Sequence, residues 1–120
     1  MNTRQTGSRY EQKAARWLEE KGVKIICANF RCRYGEIDLV AHDGDYLVFV
    51  EVKYRKDAAA GHPAEAVTAT KQRVICKVAA FYCLSRNIAA DTPIRYDVVA
   101  ICGDEVIWYQ NAFDHVGPQW

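Results

Sequence analysis

The most regular pattern of hydrophobic and polar residues lies between positions 35 and 55, where two apolar-rich runs flank a polar pair. The runs are Glu36–His42 and Tyr46–Lys53, with Asp43 and Gly44 between them. An Asp-Gly pair between alternating hydrophobic residues is a strong signal for a β-hairpin, because such turns require positive φ angles. The pattern therefore predicts two antiparallel strands joined by a two-residue loop.

That loop sets a register for the predicted hairpin. Counting outward from Asp43 and Gly44 places Asp38 opposite Phe49 and Glu36 opposite Glu51. Because side chains alternate across a strand, three carboxylates then share one face at the open end of the hairpin, and the same face is apolar near the turn. The other face is predicted to be a core face made of Ile37, Leu39, Ala41, Tyr46, Val48, Val50 and Val52.

The crowded carboxylates predict a divalent-metal site. Like charges opposite one another destabilise a sheet, and diagonal neighbours such as Asp38 and Glu51 lie close enough for their side chains to converge on one ion. Mg²⁺ prefers carboxylate and other oxygen ligands. Lys53 points the same way as Glu51, where an ammonium group can hold a water molecule or stabilise developing charge. The alternative is an exposed ladder of opposite charges with Asp38 and Glu36 merely solvated.

A helical pattern precedes the hairpin. It predicts a helix over residues 6–21 that ends at Gly22, a residue favoured in the left-handed conformation after a helix. Glu11 borders the apolar stripe, and its position alone is that of an acidic residue favoured near a helix N-terminus. A short strand, Val23–Phe30, is predicted next. The apolar stripe of the helix consists of Tyr10, Ala14, Trp17, Leu18 and the stem of Lys21.

The second half of the chain predicts another helix and another hairpin. Residues 64–86 carry a helical pattern with a weak point at positions 68–70, and Ile94–Cys102 and Glu105–Gln110 flank a Gly-Asp turn. The order of helix, three strands, helix and two strands predicts an α/β fold with a mixed sheet flanked by helices. The buried stripe of the second helix is predicted to hold Val74, Ile75, Val78, Ala79, Phe81, Tyr82 and Cys83.

Composition bounds the class of protein. The 120 residues, of which 50% are hydrophobic, are enough for one domain over residues 1–120 with a substantial core. No run approaches the roughly 18 apolar residues of a membrane span, and the N-terminal residues lack the apolar stretch of a secretory signal. Five cysteines without a C-x-x-C pair indicate free thiols in a reducing compartment. We therefore expect a cytoplasmic protein that does not associate with membranes.

The formal net charge of +1 is low for a protein that contacts phosphates. Most of the 16 Lys and Arg residues lie in the first half of the chain, however, and several positions suit nucleic-acid contacts. Arg31 and Arg33 with Tyr34 can meet a phosphate backbone and a base face, or can form a solvated connector. Arg55 follows the hairpin and is predicted to contact phosphate, whereas Lys71 either reaches the site or is solvated.

Asp97 is the other carboxylate inside a hydrophobic strand. It follows Arg95 on the same face, and Arg55 is the second candidate partner. A buried carboxylate is normally paired with a cation or hydrogen-bonded. We therefore expect Asp97 to form an ion pair rather than to take part in catalysis.

The hairpin residues resemble a known nuclease motif. Asp38, followed by Glu51, Val52 and Lys53 on the next strand, is similar to the PD-(D/E)xK motif, with Ile37 in place of the nominal proline. The whole chain resembles the YraN-like family of small bacterial proteins more closely, and that family is similar to Holliday-junction resolvases. The matching positions are Gly7, Glu11, Ala14, Asn29, residues 35–40 and 49–53, Arg55, Gly61, Lys71, Arg73, Ala79, Ala80, Tyr82 and residues 95–99.

The resemblance implies a restriction-endonuclease-like fold and a metal-dependent endonuclease acting on DNA, including branched DNA such as Holliday junctions. It implies that Glu11 and the Val52 carbonyl complete a shell of Asp38 and Glu51 around Mg²⁺ or Mn²⁺, with Lys53 orienting the attacking water. Four basic residues would position the DNA backbone, and a homodimer would allow two strands to be cut together. The alternative is a non-catalytic nucleic-acid- or protein-binding module on the same scaffold. The four basic residues are Arg31, Arg33, Arg55 and Lys71.

Overall fold

The computed structural model describes residues 3–55 and 67–116, with side chains described from residue 9 onward. Within these residues the elements follow the predicted order of helix, three strands, helix and two strands. The first helix begins three residues earlier than predicted, and the last strand extends three residues further. The elements are α1 (Thr3–Glu20), β1 (Lys24–Cys32), β2 (Gly35–Asp43), β3 (Tyr46–Tyr54), α2 (Ala69–Ser85), β4 (Ile94–Cys102) and β5 (Glu105–Phe113).

The five strands form one mixed sheet in the order β1-β2-β3-β4-β5. Neighbouring strands are antiparallel except β3 and β4, which are parallel. Parallel neighbours require a crossover connection, and α2 lies in the segment that joins these two strands. The prediction of an α/β fold with a mixed sheet and flanking helices is therefore confirmed.

Helices cover both faces of the sheet. Ala14 and Leu18 of α1 pack with one set of strand residues that includes Val48 and Val50. Val78 and Tyr82 of α2 pack with a second set that includes Val40, Leu47 and Phe49. Strands covered on both faces are apolar on both, which explains why β3 reads as a nearly continuous hydrophobic run. The face that carries Phe49 is consequently a core face as well.

The predicted register of the β2–β3 hairpin is wrong by two residues. The turn residues are Gly44 and Asp45, because Asp43 pairs with Tyr46 at the end of the ladder. Gly44 has a φ of 60°, and glycine at the first loop position adopts positive φ without steric cost. The predicted loop would instead have required positive φ at Asp43.

The predicted sorting of residues onto faces is also wrong at two positions. Ile37 packs with the α2 cluster, whereas Leu39 packs with the α1 cluster. The alternation breaks at Asp38. In the β1–β2 ladder Ala28 pairs with Leu39 and Phe30 with Ile37, and Asn29 and Asp38 lie between these two pairs. Asn29 has a φ of 56°. Tyr46, assigned to the core face, is 44% exposed because it lies at the end of β3 beside the turn.

The second helix begins at Ala69, later than predicted. Thr68 is its N-cap, and its hydroxyl accepts a hydrogen bond from the Lys71 N–H at 3.1 Å. Val67 and Thr68 are therefore not helical, and positions 64–66 of the prediction lie outside the described residues. Phe81, assigned to the buried stripe, is 37% exposed because it lies at the edge of that stripe.

Asp97 forms the predicted ion pair with Arg95. The Arg95 Nε donates to Asp97 at 2.9 Å, and a second Arg95 nitrogen donates to Asp43 at 2.8 Å. The buried Asp97 also accepts hydrogen bonds from the Trp108 indole and the Asn111 N–H. These contacts join the β2–β3 turn to β4 and β5 and leave Asp97 a structural role.

The five cysteines are free thiols, of which Cys76 is buried and the others are partly buried. Among the described residues no helix combines the length and hydrophobicity needed to cross a bilayer.

Candidate metal centre

The carboxylates gather where β2 and β3 separate. The ladder between the two strands is continuous from the turn to the pair Leu39 and Val50. Beyond that pair, the Val52 N–H donates to the Asp38 Oδ2 at 2.8 Å. The Asp38 carboxylate thus replaces the main-chain acceptor that a continued ladder would supply. This hydrogen bond holds Asp38 beside β3.

Three carboxylates from two elements meet at this point. Glu11 of α1 and Glu36 and Asp38 of β2 each offer an oxygen atom, and these atoms lie within 4.8 Å of one another. Glu11 lies one and two turns before Ala14 and Leu18, which pack α1 onto the sheet. The apolar stripe of the helix therefore directs the carboxylate of Glu11 towards the strands.

Glu51 on β3 is the fourth acidic residue of the cluster. It is only 9% exposed and interacts with Asp38. Burial, followed by the charge of Asp38, raises the pKa of Glu51 to about 8, against the opposing effect of Lys71 and Lys53. The two lysines therefore lie close enough to influence the cluster.

Glu11 experiences the same environment from the helix side. Burial, together with the negative charges of Asp38 and Glu36, raises the pKa of Glu11 to about 7. A hydrogen bond with Asn29 acts in the opposite direction. Two carboxyl groups of one cluster thus hold protons more strongly than free carboxyl groups do.

One oxygen of the cluster lacks a hydrogen-bond partner. The Oε2 atom of Glu11 is buried and accepts no hydrogen bond from the residues that the structure describes. An unpartnered buried carboxylate oxygen is costly, and a cation is the partner that would satisfy it. The donor set of carboxylate oxygens suits Mg²⁺ or Mn²⁺. The residues present therefore fit a hard divalent cation.

The basic residues predicted to contact DNA occupy different environments. Arg31 forms an ion pair with Glu36 at 3.1 Å, and Arg33 donates to the Tyr34 hydroxyl at 2.8 Å. Lys71 lies in the first turn of α2, where its charge acts on Glu51. The main chain of Arg55, just after β3, donates to a β4 carbonyl. Lys71 is thus brought to the cluster, while Arg31 and Arg33 flank it on β1 and its turn.

Two residues of the cluster were not assigned to the metal shell from the sequence. Glu36 joins the triad, although its like-charge position was already evident in the hairpin pattern. Asn29, which interacts with Glu11, lies in β1 and had no periodicity signal. Asn29 has a positive φ, which asparagine tolerates better than most residues. The direction of its side chain at this φ could not be read from the sequence.

The fold and the cluster define a class: a small α/β protein whose five-stranded mixed sheet carries an acidic centre between α1, β2 and β3. The profile of the family described as "Uncharacterised protein family UPF0102" matches residues 10–101, which span most of α1 through β4. The chain belongs to this family, and the resemblance to YraN-like proteins is confirmed. The matched segment contains all four acidic residues of the centre.

Full-length relatives agree with this assignment. A UPF0102 protein from Lachnoclostridium phytofermentans is 46% identical over 117 residues, covering 98% of this chain and 99% of its own. The UPF0102 protein YraN of Escherichia coli is 45% identical over 117 residues, covering 96% of this chain and 89% of its own. A UPF0102 protein from Klebsiella pneumoniae is 44% identical over 112 residues.

Proposed function

We propose that this protein is a divalent-metal-dependent nuclease that hydrolyses DNA phosphodiester bonds at the acidic centre. The observation that carries the proposal is the convergence of oxygens from Glu11, Glu36 and Asp38 within 4.8 Å of one another, one buried Glu11 oxygen having no hydrogen-bond partner among the described residues. Mutually close carboxylates are unfavourable without a cation, and phosphoryl-transfer sites commonly use Mg²⁺ held by one or two carboxylates. A restriction-endonuclease-like fold is part of this proposal.

The metal would be held by Asp38, Glu11 and Glu36, with Glu51 and the Val52 carbonyl completing the shell. Asp38 is suited to this role because the Val52 N–H holds its Oδ2 at 2.8 Å and so limits its rotamers. When bound, a divalent cation supplies Lewis acidity and offsets negative charge on the phosphodiester.

The remaining chemistry falls to basic residues of the chain. Lys53 follows Glu51 on β3 and its charge reaches that carboxylate, so its ammonium group can orient a water molecule for attack on the phosphorus. Lys71 approaches from the first turn of α2 and offsets the charge of Glu51. Arg31, Arg33 and Arg55 would contact phosphates on either side of the scissile bond, since Arg is well suited to phosphate recognition.

The test is cleavage of labelled duplex, flap and four-way-junction DNA with Mg²⁺ or Mn²⁺ and with EDTA. We expect metal-dependent cleavage by the wild type. Asp38→Asn should lower the rate by roughly 100-fold or more, because it keeps the acceptor oxygen but removes the negative charge that binds the cation. Lys53→Ala should lower the rate with the fold retained. The matched controls are Asp45→Asn and Lys24→Ala, which change exposed residues of the same types, with thermal melting as the check on folding.

Wild-type cleavage rates in both Asp38→Asn and Lys53→Ala would contradict the site assignment. DNA binding that survives Asp38→Asn, together with no metal-dependent cleavage by the wild type, would instead support a non-catalytic binding module on this scaffold.

A further inference from the structure

A pair of exposed aromatic rings lies where the β1–β2 turn contacts α2. Tyr34, in the turn between β1 and β2, is 42% exposed, and Phe81 on α2 is 37% exposed. Their ring centroids are 6.3 Å apart. Leu84, one turn further along α2, is also exposed. Large apolar side chains that are exposed next to one another mark a surface for binding, and we call Tyr34 and Phe81 the aromatic platform.

The platform is anchored to the core through a series of ring contacts. Phe81 lies 6.3 Å from Phe30, which meets Tyr82 edge-on at 5.1 Å. Tyr82 in turn meets the buried Phe49 at 5.7 Å. Rings held in this way lose little conformational freedom when a ligand stacks on them. Phe81 is therefore preorganised for a planar partner, and the Tyr34 ring meets it edge-on at an angle of 68°.

Gly35 brings the β1–β2 turn against α2. Its φ is 148°, and a Cβ atom at this position would lie 2.7 Å from the Val74 Cγ1. The close approach of the turn to α2 places Tyr34 against Phe81 and next to the start of β2. Glu36 is two residues from Tyr34, which is at most about 7 Å of main chain. The main chain of Tyr34 is thus close to that of Glu36, one of the three carboxylates of the triad.

The charge around the platform is positive. The Arg33 guanidinium lies 4.9 Å from the Tyr34 ring, and that of Arg86 lies 5.8 Å from the Phe30 ring. Within the described part of the chain, neither arginine forms an ion pair with a carboxylate. Exposed aromatic faces flanked by unpaired arginines match the chemistry of single-stranded nucleic acid, whose bases stack while its phosphates meet cations. A charge-complementary partner is therefore a polyanion with accessible bases.

We propose that the aromatic platform stacks unpaired bases of a DNA strand whose phosphate reaches the acidic centre. The substrate is then DNA with single-stranded nucleotides next to the bond to be cut, and this position of the scissile bond rests on the proposed nuclease function. Bases inside a duplex are stacked on their neighbours and offer no free face. Fully paired DNA consequently gains nothing from the platform.

The test measures binding without cleavage. Fluorescence anisotropy in EDTA compares a labelled duplex, the same duplex with an internal single-stranded gap, and the single strand alone. Tyr34→Leu and Phe81→Leu keep apolar bulk but remove the aromatic face, whereas Tyr34→Phe keeps the face. The matched control is Tyr46→Leu, because Tyr46 is also exposed and also lies under an arginine, Arg95. Tyr46 begins β3, whereas Glu51 of the acidic centre lies towards the other end of that strand.

We expect each leucine variant at the platform to bind the gapped and single-stranded DNA about tenfold more weakly, since base–aromatic stacking contributes strongly to single-strand affinity. Duplex affinity should be unchanged, and Tyr34→Phe and Tyr46→Leu should behave like the wild type. A 2-aminopurine base in the gap should lose its quenching in the Tyr34→Leu complex. Unchanged affinity in Tyr34→Leu and Phe81→Leu, or an equal loss on all three DNAs, would overturn the proposal.

Sedimentation velocity tests whether the same surface serves instead for self-association of the protein. If the wild type is a dimer that Tyr34→Leu and Phe81→Leu convert to a monomer, the platform is a self-association interface and the stacking proposal is overturned.

The outcomes also separate the two proposals. Selective loss of unpaired-DNA binding in a protein that never cleaves would leave the platform standing and reject the nuclease. Metal-dependent cleavage by the wild type, together with platform variants that bind all three DNAs normally, would support the nuclease and reject the platform.

Discussion

Asp38 is the residue at which the backbone and the chemistry of this protein meet. Strand alternation breaks at Asp38, so that Ile37 and Leu39 pack with different helices. Asp38 accepts the Val52 N–H where the ladder ends and also joins the carboxylate triad. Asp38→Asn keeps the oxygen that accepts the Val52 N–H and removes the charge that belongs to the triad, so this substitution separates the two roles. It is a cleaner test than Asp38→Ala, which removes both.

Without a divalent cation, the stability of the protein should fall as the pH rises. Burial and neighbouring negative charges raise the pKa of Glu11 to about 7 and that of Glu51 to about 8, from an ordinary value of 4.5. Between pH 4.5 and these raised pKa values the folded state binds more protons than the unfolded chain. The contribution of the two protonated carboxyl groups to stability is therefore complete below pH 4.5 and is lost as the pH rises through about 7 and about 8.

The measurement is urea unfolding in EDTA across this pH range. Glu51→Gln, which cannot ionise, should lose less stability at high pH than the wild type does. Glu105→Gln, at an exposed position in the β4–β5 hairpin, serves as the control and should follow the wild-type profile. Stability that stays constant or rises with pH in EDTA would contradict this account of the cluster.

At the scale of elements, the contact between the β1–β2 turn and α2 organises the surface beside the acidic centre. Gly35 permits this contact because it has no side chain where Val74 and Val78 approach. Phe30 of β1 packs on Tyr82 of α2 and strengthens the same junction. The hairpin turn is thus fixed by packing on a helix rather than by its own residues alone.

Gly35→Ala should destabilise the protein by about 1–3 kcal/mol, because overpacking and an unfavourable φ act together. Gly44→Ala is the matched control: the φ of Gly44 is also positive, but a Cβ atom there meets no atom of residues 3–55 and 67–116 within 4 Å. That variant should cost less, since only backbone strain contributes. Urea unfolding compares the two, and an equal or smaller cost at Gly35 would show that the turn does not depend on its approach to α2.

At the scale of the whole molecule, a formal net charge of +1 conceals a separation of charge. The four acidic residues of the centre gather between α1, β2 and β3, while Arg33 lies against the Tyr34 ring and Arg86 against the Phe30 ring. A bound cation would cancel part of the negative charge and leave a positive rim. The net charge is therefore a poor guide to the field that a DNA strand would meet.

Divalent cations should raise the melting temperature through binding to the folded state. At a concentration 100 times the dissociation constant the gain is about 2.7 kcal/mol, which corresponds to roughly 10 °C for a chain of this size. Thermal melting with MgCl₂ or MnCl₂, against NaCl of equal ionic strength, measures the shift. Asp38→Asn should abolish most of it and Asp45→Asn should retain it. A shift that persists in Asp38→Asn would place the cation elsewhere.

Local patterns in the sequence were sufficient for much of this description. Hydrophobic periodicity predicted the order of the elements, because each helix or strand buries residues at a spacing that the chain itself displays. Charge within apolar strands predicted that Asp38, Glu51 and Lys53 would gather and that Asp97 would pair with Arg95. Such residues stand out because a charge is costly inside a buried strand unless it has a partner.

Tertiary structure alone decided what depends on residues distant in sequence. The break of alternation at Asp38 accompanied the φ of Asn29, a residue of the neighbouring strand. The contact between Tyr34 and Phe81 joined a turn to a helix 47 positions away. No local period encodes such contacts, because they arise from the packing of whole elements against one another.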